Sequence, residues 1–361
     1  MNTTEHPFDV VVIGAGQAGL ACGWHLKQQG LDFLILDEQQ QPGGNWRNYY
    51  DSLELFSPAA YSSLPGLPFP GEPGHYPSRD EVVRYLEQYA SFFQLPILPG
   101  IQVIKVNQEA GGFQIVATNG QRFFTRALIV ASGAFSRPYT PEVPGLESFQ
   151  GVCIHSAEYR NVEMFSGQRI VVIGAANSAV QIAYELAKVA EVTLATREAI
   201  RFFPQKLLGA DFHAWLKWTG LERTRWINDQ STPVLDDGTY KKALKSGLFN
   251  QRSMFGKVTP TGVVWADGHH EAVDCLVFAT GFRPNISFLE DLAVTDDRGR
   301  LMQRDGRALH ILGLYFMGLP KQRNFASATL RGVGPDAEVI LPHLLRHLRS
   351  TDTELVIAAQ R

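Results

Sequence analysis

Two segments of the chain repeat one pattern: a short β-branched strand, a glycine turn, a helix-periodic stretch and a second strand, with the turns about 160 residues apart. That repeat predicts an α/β chain made of two Rossmann-like dinucleotide-binding domains. A solenoid would repeat at about 20 to 50 residues. Length and composition fit such a chain: 361 residues, 45% hydrophobic and 19% charged, with a formal net charge of -3, suit a globular protein with more than one core and give no electrostatic reason to expect nucleic acid.

The first unit opens with the run Val10–Ile13 and the turn at Gly14. A helical stretch comes next through Ala18, Ala21, Cys22, Trp24 and Leu26 to Gly30, and then the strand Phe33–Leu36, which ends at Asp37. The second unit runs from the strand Arg169–Ile173 through Gly174 and the apolar positions Val180, Ala183, Leu186, Ala187 and Ala190 to the strand Val192–Ala195. Between the units, the prolines and glycines from Pro58 to Pro77 forbid regular structure and predict an ordered or gating loop. Ser78 with Glu81 three residues on reads as a capping box for the helix Arg79–Phe93. Strands are expected at Gly112–Ala117, Arg126–Ala131 and Cys275–Ala279, with an irregular stretch at Pro138–Gly145.

Gly14-x-Gly16-x-x-Gly19 stands after a strand and opens a helix, the context that makes a glycine pattern a dinucleotide site. Gly14 permits the turn, Gly16 admits a pyrophosphate close to the backbone, and Gly19 lets helix and strand pack. The helix N-terminus beginning at Gln17 and Ala18 then receives the anion. Asp37 lies where a carboxylate accepts hydrogen bonds from a ribose. In the second motif, Gly174-x-Ala176-Asn177-Ser178-Ala179, Ala176 replaces the second glycine, so a working but weaker site is expected. Arg197, just past the second strand, is placed to grip a 2′-phosphate with help from Thr196, while the neighbouring Glu198 opposes it. NADPH and NADH both remain open. Two such sites in one chain imply electron traffic between two cofactors, one FAD and one nicotinamide.

Four stretches then resemble the flavin-containing monooxygenases, class B flavoprotein oxygenases, and among them the small bacterial members. They are the first glycine motif with Asp37 and Gly43-Gly44-Asn45-Trp46; Phe149-x-Gly151-x-x-x-His155-x-x-x-Tyr159-Arg160; the interrupted motif at Gly174; and Ala279-Thr280-Gly281-Phe282. The resemblance implies an FAD-binding domain over 1–155 and 272–361 and an NAD(P)H-binding domain over 156–271. It implies FAD contacts at Gln17, Ala18, Glu38, Gly44, Asn45, Trp46, Ala131 and Gly133, and further cofactor contacts at Ala179, Thr280 and Gly281. Asn177 and Ser178 are candidates to meet the nicotinamide. Phe56 falls where many relatives carry an active-site asparagine, so an apolar ring excludes water there but donates no hydrogen bond. His155 reads as structural.

The function expected from these residues and that resemblance is an FAD-dependent, NAD(P)H-consuming monooxygenase acting through a flavin peroxide on sulfides, amines and possibly ketones. Its partners would be a small-molecule substrate and dioxygen, with a homodimer as a mild expectation. The alternatives are a two-electron reductase of the disulfide-reductase type, for which no C-x-x-C exists among Cys22, Cys153 and Cys275, and a flavin-binding redox sensor without turnover. The segment Arg201–Lys257, with ten Lys/Arg against five Asp/Glu and with Trp215, Trp218 and Trp226, is read as helix packing beside an anionic dinucleotide rather than a nucleic-acid surface. With no apolar run of about 18 residues and no export signal in Met1–Phe8, a cytoplasmic protein without a membrane span or a metal site is expected.

Overall fold

The computed structural model describes residues 7–223 and 233–359, so Trp226 and the acidic Glu5 lie outside the described residues. The chain is organised by two sheets, the first parallel at its centre with antiparallel strands at its margins and the second parallel throughout. In the first, Phe8–Ile13 lies between Phe33–Leu36 and Arg122–Val130, with Ile97–Leu98 and Leu314–Phe316 outside them. Val10 stands opposite Phe33 and Ala127, and the central valines 10, 11 and 12 are fully buried. Val10 and Val12 face a core with Leu20, Leu26, Tyr85 and Leu344, whereas Val11 and Ile13 face Val106, Phe113 and Ile115. Burial on both faces explains why the run is continuously apolar rather than alternating.

The second sheet runs in the order Asn250–Ser253, Glu191–Thr196, Arg169–Ile173, Cys275–Phe278, Val152–His155, all parallel. This moves the expected division between the two units. Val152–His155 and Cys275–Phe278, expected to belong to the first unit, hydrogen-bond into the second sheet. The change-over therefore falls before 152 and after 278 instead of at 155/156 and 271/272. At that change-over two linkers run antiparallel, Arg283 opposite Arg137 and Phe282 opposite Pro138, so the sheets are joined by a paired ribbon.

The helix Arg79–Phe92 begins with the anticipated capping box: Ser78 Oγ accepts from the Glu81 N–H, and the Ser78 N–H donates to Glu81 Oε2 at 2.8 Å. Its buried tyrosines order the proline-rich loop. Tyr85 Oη donates to the Leu67 carbonyl at 2.7 Å and Tyr89 Oη to that of Pro65 at 2.6 Å, while the Leu64 N–H donates to Tyr85 Oη. The loop is thus pinned at Leu64, Pro65 and Leu67. The last helix, Leu330–Ala359, has no counterpart among the elements expected from the sequence; it contains Pro335 and Pro342 and packs on the first glycine helix, Gln17–Gln28.

Candidate active site

Both glycine loops leave the C-terminal ends of their central strands and open into one cleft of about 1380 Å3. Open parallel sheets bind ligands at that end, and the volume exceeds the roughly 300–1,000 Å3 of a site for one small ligand. Nearly every anticipated residue lines it: Gly14, Gly16, Gln17, Ala18, Asp37, Glu38, Gly44, Asn45, Trp46, Phe56, Ala131 and Gly133 from the first sheet's side, and Gly174, Ala176, Asn177, Ser178, Arg197, Thr280 and Gly281 from the second.

At the first loop, Gly14 has φ +107°, and a Cβ there would lie 2.4 Å from the Ala131 carbonyl oxygen. Gly16 instead has an ordinary φ of -75°, and a Cβ would meet nothing closer than the Gly44 Cα at 3.8 Å. The missing side chain at Gly16 leaves space in the cleft rather than avoiding a clash. Gln17–Gln28 starts with no side-chain cap and no acidic residue in its first turn, so its leading N–H groups are available to an anion. Gln17 is fixed from both ends, accepting from Trp46 Nε1 at 2.7 Å and donating to the Ala328 carbonyl at 3.2 Å. Asn45 Nδ2 donates to the Phe135 carbonyl at 2.8 Å. These residues fit a dinucleotide of the FAD type: a bare backbone cradle, an uncapped helix and an acidic strand end.

Asp37 braces that loop. Its Oδ2 accepts from the Ala15 N–H and its Oδ1 from the Gln39 N–H at 2.7 Å. Burial raises its pKa from the ordinary value, and the two backbone donors oppose that shift. Gly19 does not line the cleft. A Cβ there would strike the Gly14 carbonyl oxygen at 1.8 Å, so this third glycine serves close helix packing.

The second loop repeats the plan. Gly174 has φ +145°, and a Cβ would lie 2.4 Å from the Ala279 carbonyl oxygen. The helix Asn177–Leu186 comes after Ala176, again with no side-chain cap and no acidic first turn. Arg197, Glu198 and Arg201 border this part of the cleft, a mixed-charge rim at the end of the strand where a nicotinamide dinucleotide's ribose belongs. Two expectations change here. Thr196 is 3% exposed, its Oγ1 accepts from Gln251 Nε2 at 2.9 Å, and it stays out of the cleft because the strand it ends is covered on both faces. Ala179 is buried beneath Gly174 as packing.

The motif Phe149 to Arg160 forms the joint between the sheets. Gly151 lets the chain pass the Asp274 carbonyl, 2.5 Å from where a Cβ would stand. His155 Nδ1 accepts from the Ala157 N–H at 3.1 Å, which leaves Nε2 to donate to the Gly281 carbonyl at 3.0 Å. Burial lowers the His155 pKa, consistent with this neutral tautomer. Thr280 Oγ1 donates to the Tyr139 carbonyl across the paired ribbon. Arg160 donates to the Asn48 carbonyl, and Tyr159 packs against Tyr50.

Several contributors carried no motif. Tyr50 lines the cleft and donates from Oη to Gln181 Oε1, tying the first sheet's loop to the second glycine helix. Ser52 repeats the tie to Glu185 Oε2 at 2.6 Å. Met254, Asn285 and Leu330 also border the cleft. Phe56 is half-buried, one face in the cleft and its ring stacked at 6.0 Å on His213.

Known proteins share this organisation. Residues 11–318 match the family described as pyridine nucleotide-disulphide oxidoreductase. The chain is 35% identical over 350 residues to an uncharacterized CzcO-like oxidoreductase of Geobacillus kaustophilus, covering 95% of this chain and 100% of that protein. It is 30% identical over 334 residues to the indole-3-pyruvate monooxygenase YUCCA1 of Oryza sativa, covering 82% and 80% respectively. The solved flavin-containing monooxygenase of Stenotrophomonas maltophilia superposes with a TM-score of 0.85 at 35% identity, covering 94% of this chain and 99% of that one.

Proposed function

The chain belongs to the pyridine nucleotide-disulphide oxidoreductase family as a flavin-monooxygenase-like enzyme using FAD and NADPH, and from that premise we propose that it oxygenates small soft nucleophiles, thioethers and amines first and ketones second. The FAD would lie on the loop at Gly14 and the NADPH on the loop at Gly174. The observation that carries this reading is the convergence of two glycine cradles and two uncapped helix starts on a single cleft. When bound, the two coenzymes supply hydride transfer and dioxygen activation, with NADPH, a proton, dioxygen and a thioether giving NADP+, water and a sulfoxide.

The chain's own residues bind, orient and dry the site. Gly16 and Gly44 keep side chains away from the first pyrophosphate position, and Asp37 holds the turn while presenting a carboxylate at the strand end. Arg197 supplies a guanidinium for a 2′-phosphate. Asn177 and Ser178 stand at the second helix start, where the nicotinamide half would be contacted. Leu53, Leu55 and Phe56 form an apolar wall that excludes water from the reacting region, the condition under which an activated oxygen reaches a substrate before it is lost. Tyr50, bonded to Gln181, and Ser52, bonded to Glu185, tie the first unit's side of the cleft to the second glycine helix.

A disulfide-reductase chemistry needs a paired dithiol. Cys22, Cys153 and Cys275 are all free, and burial pushes each thiol upward, the Cys275 thiol to about 12, away from the thiolate. Incubating the holoenzyme with NADPH, dioxygen and thioanisole tests the proposal. One sulfoxide formed per NADPH consumed is expected. Stoichiometric hydrogen peroxide without sulfoxide would make the protein an oxidase instead.

A further inference from the structure

The basic, aromatic stretch Arg201–Lys257, expected to be packed beside a dinucleotide, carries one protrusion whose apolar residues face solvent. Lys206–Leu207 pairs antiparallel with Ala210–Asp211, Leu207 opposite Ala210, which leaves Leu208 and Gly209 as a two-residue turn. Both have positive φ, +50° and +81°. That is the backbone of a type I′ turn, which asparagine or glycine adopts readily at its first position and leucine only under strain. Leu208 is 87% exposed, more than any other large apolar side chain among the described residues. The turn is bolted to the helix Phe212–Thr219 by Trp215 Nε1, which donates to the Leu207 carbonyl at 2.9 Å. Trp218, in edge contact with Trp215 at 5.7 Å, is itself 69% exposed. A leucine tip and a tryptophan thus stand together on a braced element.

Exposed lysines flank these side chains. Lys206 stands at the root of the hairpin and Lys217 next to Trp218 on the helix. The nearby carboxylates are mostly turned inward: Asp211 accepts from His213 Nδ1 at 2.8 Å and Tyr76 Oη at 2.5 Å, and Glu222 accepts from Arg331 Nε at 3.1 Å. Asp237 is exposed, at the hairpin's foot beyond the Pro204–Asp236 pair. The stretch as a whole holds ten Lys/Arg against five Asp/Glu in a chain of net charge -3, so the part that bears the tip is positive while the rest is negative. We infer that Leu208 and Trp218, with Lys206 and Lys217, form a peripheral docking surface for an anionic phospholipid bilayer. The apolar side chains enter the boundary between headgroups and acyl chains, and the lysines stay at the level of the phosphates. No helix among the described residues is long and apolar enough to cross a membrane, so the contact is one of surface only. A second copy of the chain fits less well, because a stable interface takes about 20–30 residues a side and this is a tip beside one tryptophan. The same helix backs the cleft wall, His213 stacking on Phe56, so docking surface and cleft share an element.

The test is co-sedimentation of FAD-loaded protein with vesicles of pure phosphatidylcholine and of an equal mixture of phosphatidylcholine and phosphatidylglycerol, without NADPH. Partitioning onto the mixed vesicles is expected to be about tenfold stronger or more. Leu208→Asn gives the turn a residue it prefers, so this variant should melt at or above the temperature of the natural protein while its partitioning falls about tenfold. A merely structural role for Leu208 would move both quantities together. Trp218→Ser should lower partitioning by a similar factor without touching the turn, and it decides the matter if Leu208→Asn fails to retain flavin. No partitioning, equal partitioning onto both vesicles, or partitioning unchanged in the folded variants would overturn the surface. Concentration-dependent dimerisation that the variants abolish, without vesicle binding, would overturn it in favour of a second copy. No turnover is read, so the outcome is independent of the monooxygenase reading.

Discussion

Replacing Gly16 by alanine separates a residue that shapes the protein from one that makes room for a ligand. The position has φ -75° and ψ -174°, both ordinary for alanine, and the new methyl meets only the Gly44 Cα, at 3.8 Å. Folding therefore loses nothing to sterics, and a stiffer unfolded chain gains about 0.4–1 kcal/mol. The same methyl stands in the cleft, where a pyrophosphate must approach the backbone. Forcing one carbon into a packed contact costs about 1–3 kcal/mol, which at about 1.4 kcal/mol per decade is roughly a fivefold to hundredfold loss of FAD affinity. Apoprotein melting and FAD titration by fluorescence quenching measure the two quantities independently. An apoprotein of unchanged or higher melting temperature with weakened FAD binding is expected. FAD binding equal to that of the natural protein would refute the placement of the pyrophosphate at this loop. Gly14→Ala is the contrast, since its Cβ must sit 2.4 Å from the Ala131 oxygen and the apoprotein itself should be destabilised.

Other consequences are directly measurable. Arg197→Gln should raise the KM for NADPH about tenfold and leave that for NADH within twofold, corresponding to roughly 1.4 kcal/mol of phosphate recognition; equal effects on both coenzymes would remove Arg197 from the phosphate. Tyr50→Phe strips the donor from Gln181 in the tie between the loop and the second glycine helix, and a loss of about 1–2 kcal/mol in urea unfolding is expected, with an unchanged midpoint contradicting the tie. Ser78→Ala should cost about 1 kcal/mol through loss of the cap. The partner in that cap, Glu81, is held down to about 2, first by the Ser78 N–H and also by His75. A carboxyl depressed in the folded state stabilises fully above its ordinary 4.5 and loses that contribution as pH falls toward 2. Glu81→Gln should flatten this part of the acid profile by no more than about 1 kcal/mol, because a third of the side chain meets solvent.

The glycine loops are legible in the sequence because each motif residue acts on its own neighbours along the chain: the turn at Gly14, the open space at Gly16 and the close packing at Gly19 come from spacing and from the strand before them. The same holds for the capping box at Ser78 and for the proline-rich loop. Sheet membership is harder to read. Val152–His155 and Cys275–Phe278 are apolar runs equally suited to either sheet, and only pairing across the chain assigns them to the second. Thr196 misleads because a strand end next to a cleft-lining arginine looks exposed, whereas this one is covered on both sides. The final helix is hidden by Gly332, Gly334, Pro335 and Pro342, which break helical periodicity but are tolerated where the helix packs on Gln17–Gln28. Tyr50 and Gln181 come from separate segments with no shared spacing, so their meeting is a product of tertiary packing alone.

The central claim is that one cleft brings a flavin and a reduced nicotinamide together on the loops at Gly14 and Gly174. Anaerobic mixing of flavin-loaded protein with NADPH, followed by the loss of the flavin's visible absorbance, tests it most directly. Complete bleaching in the natural protein, slowed or abolished at matched NADPH in Gly174→Ala that still holds FAD, is the expected result. A flavin that stays bound and oxidised under excess NADPH would contradict it.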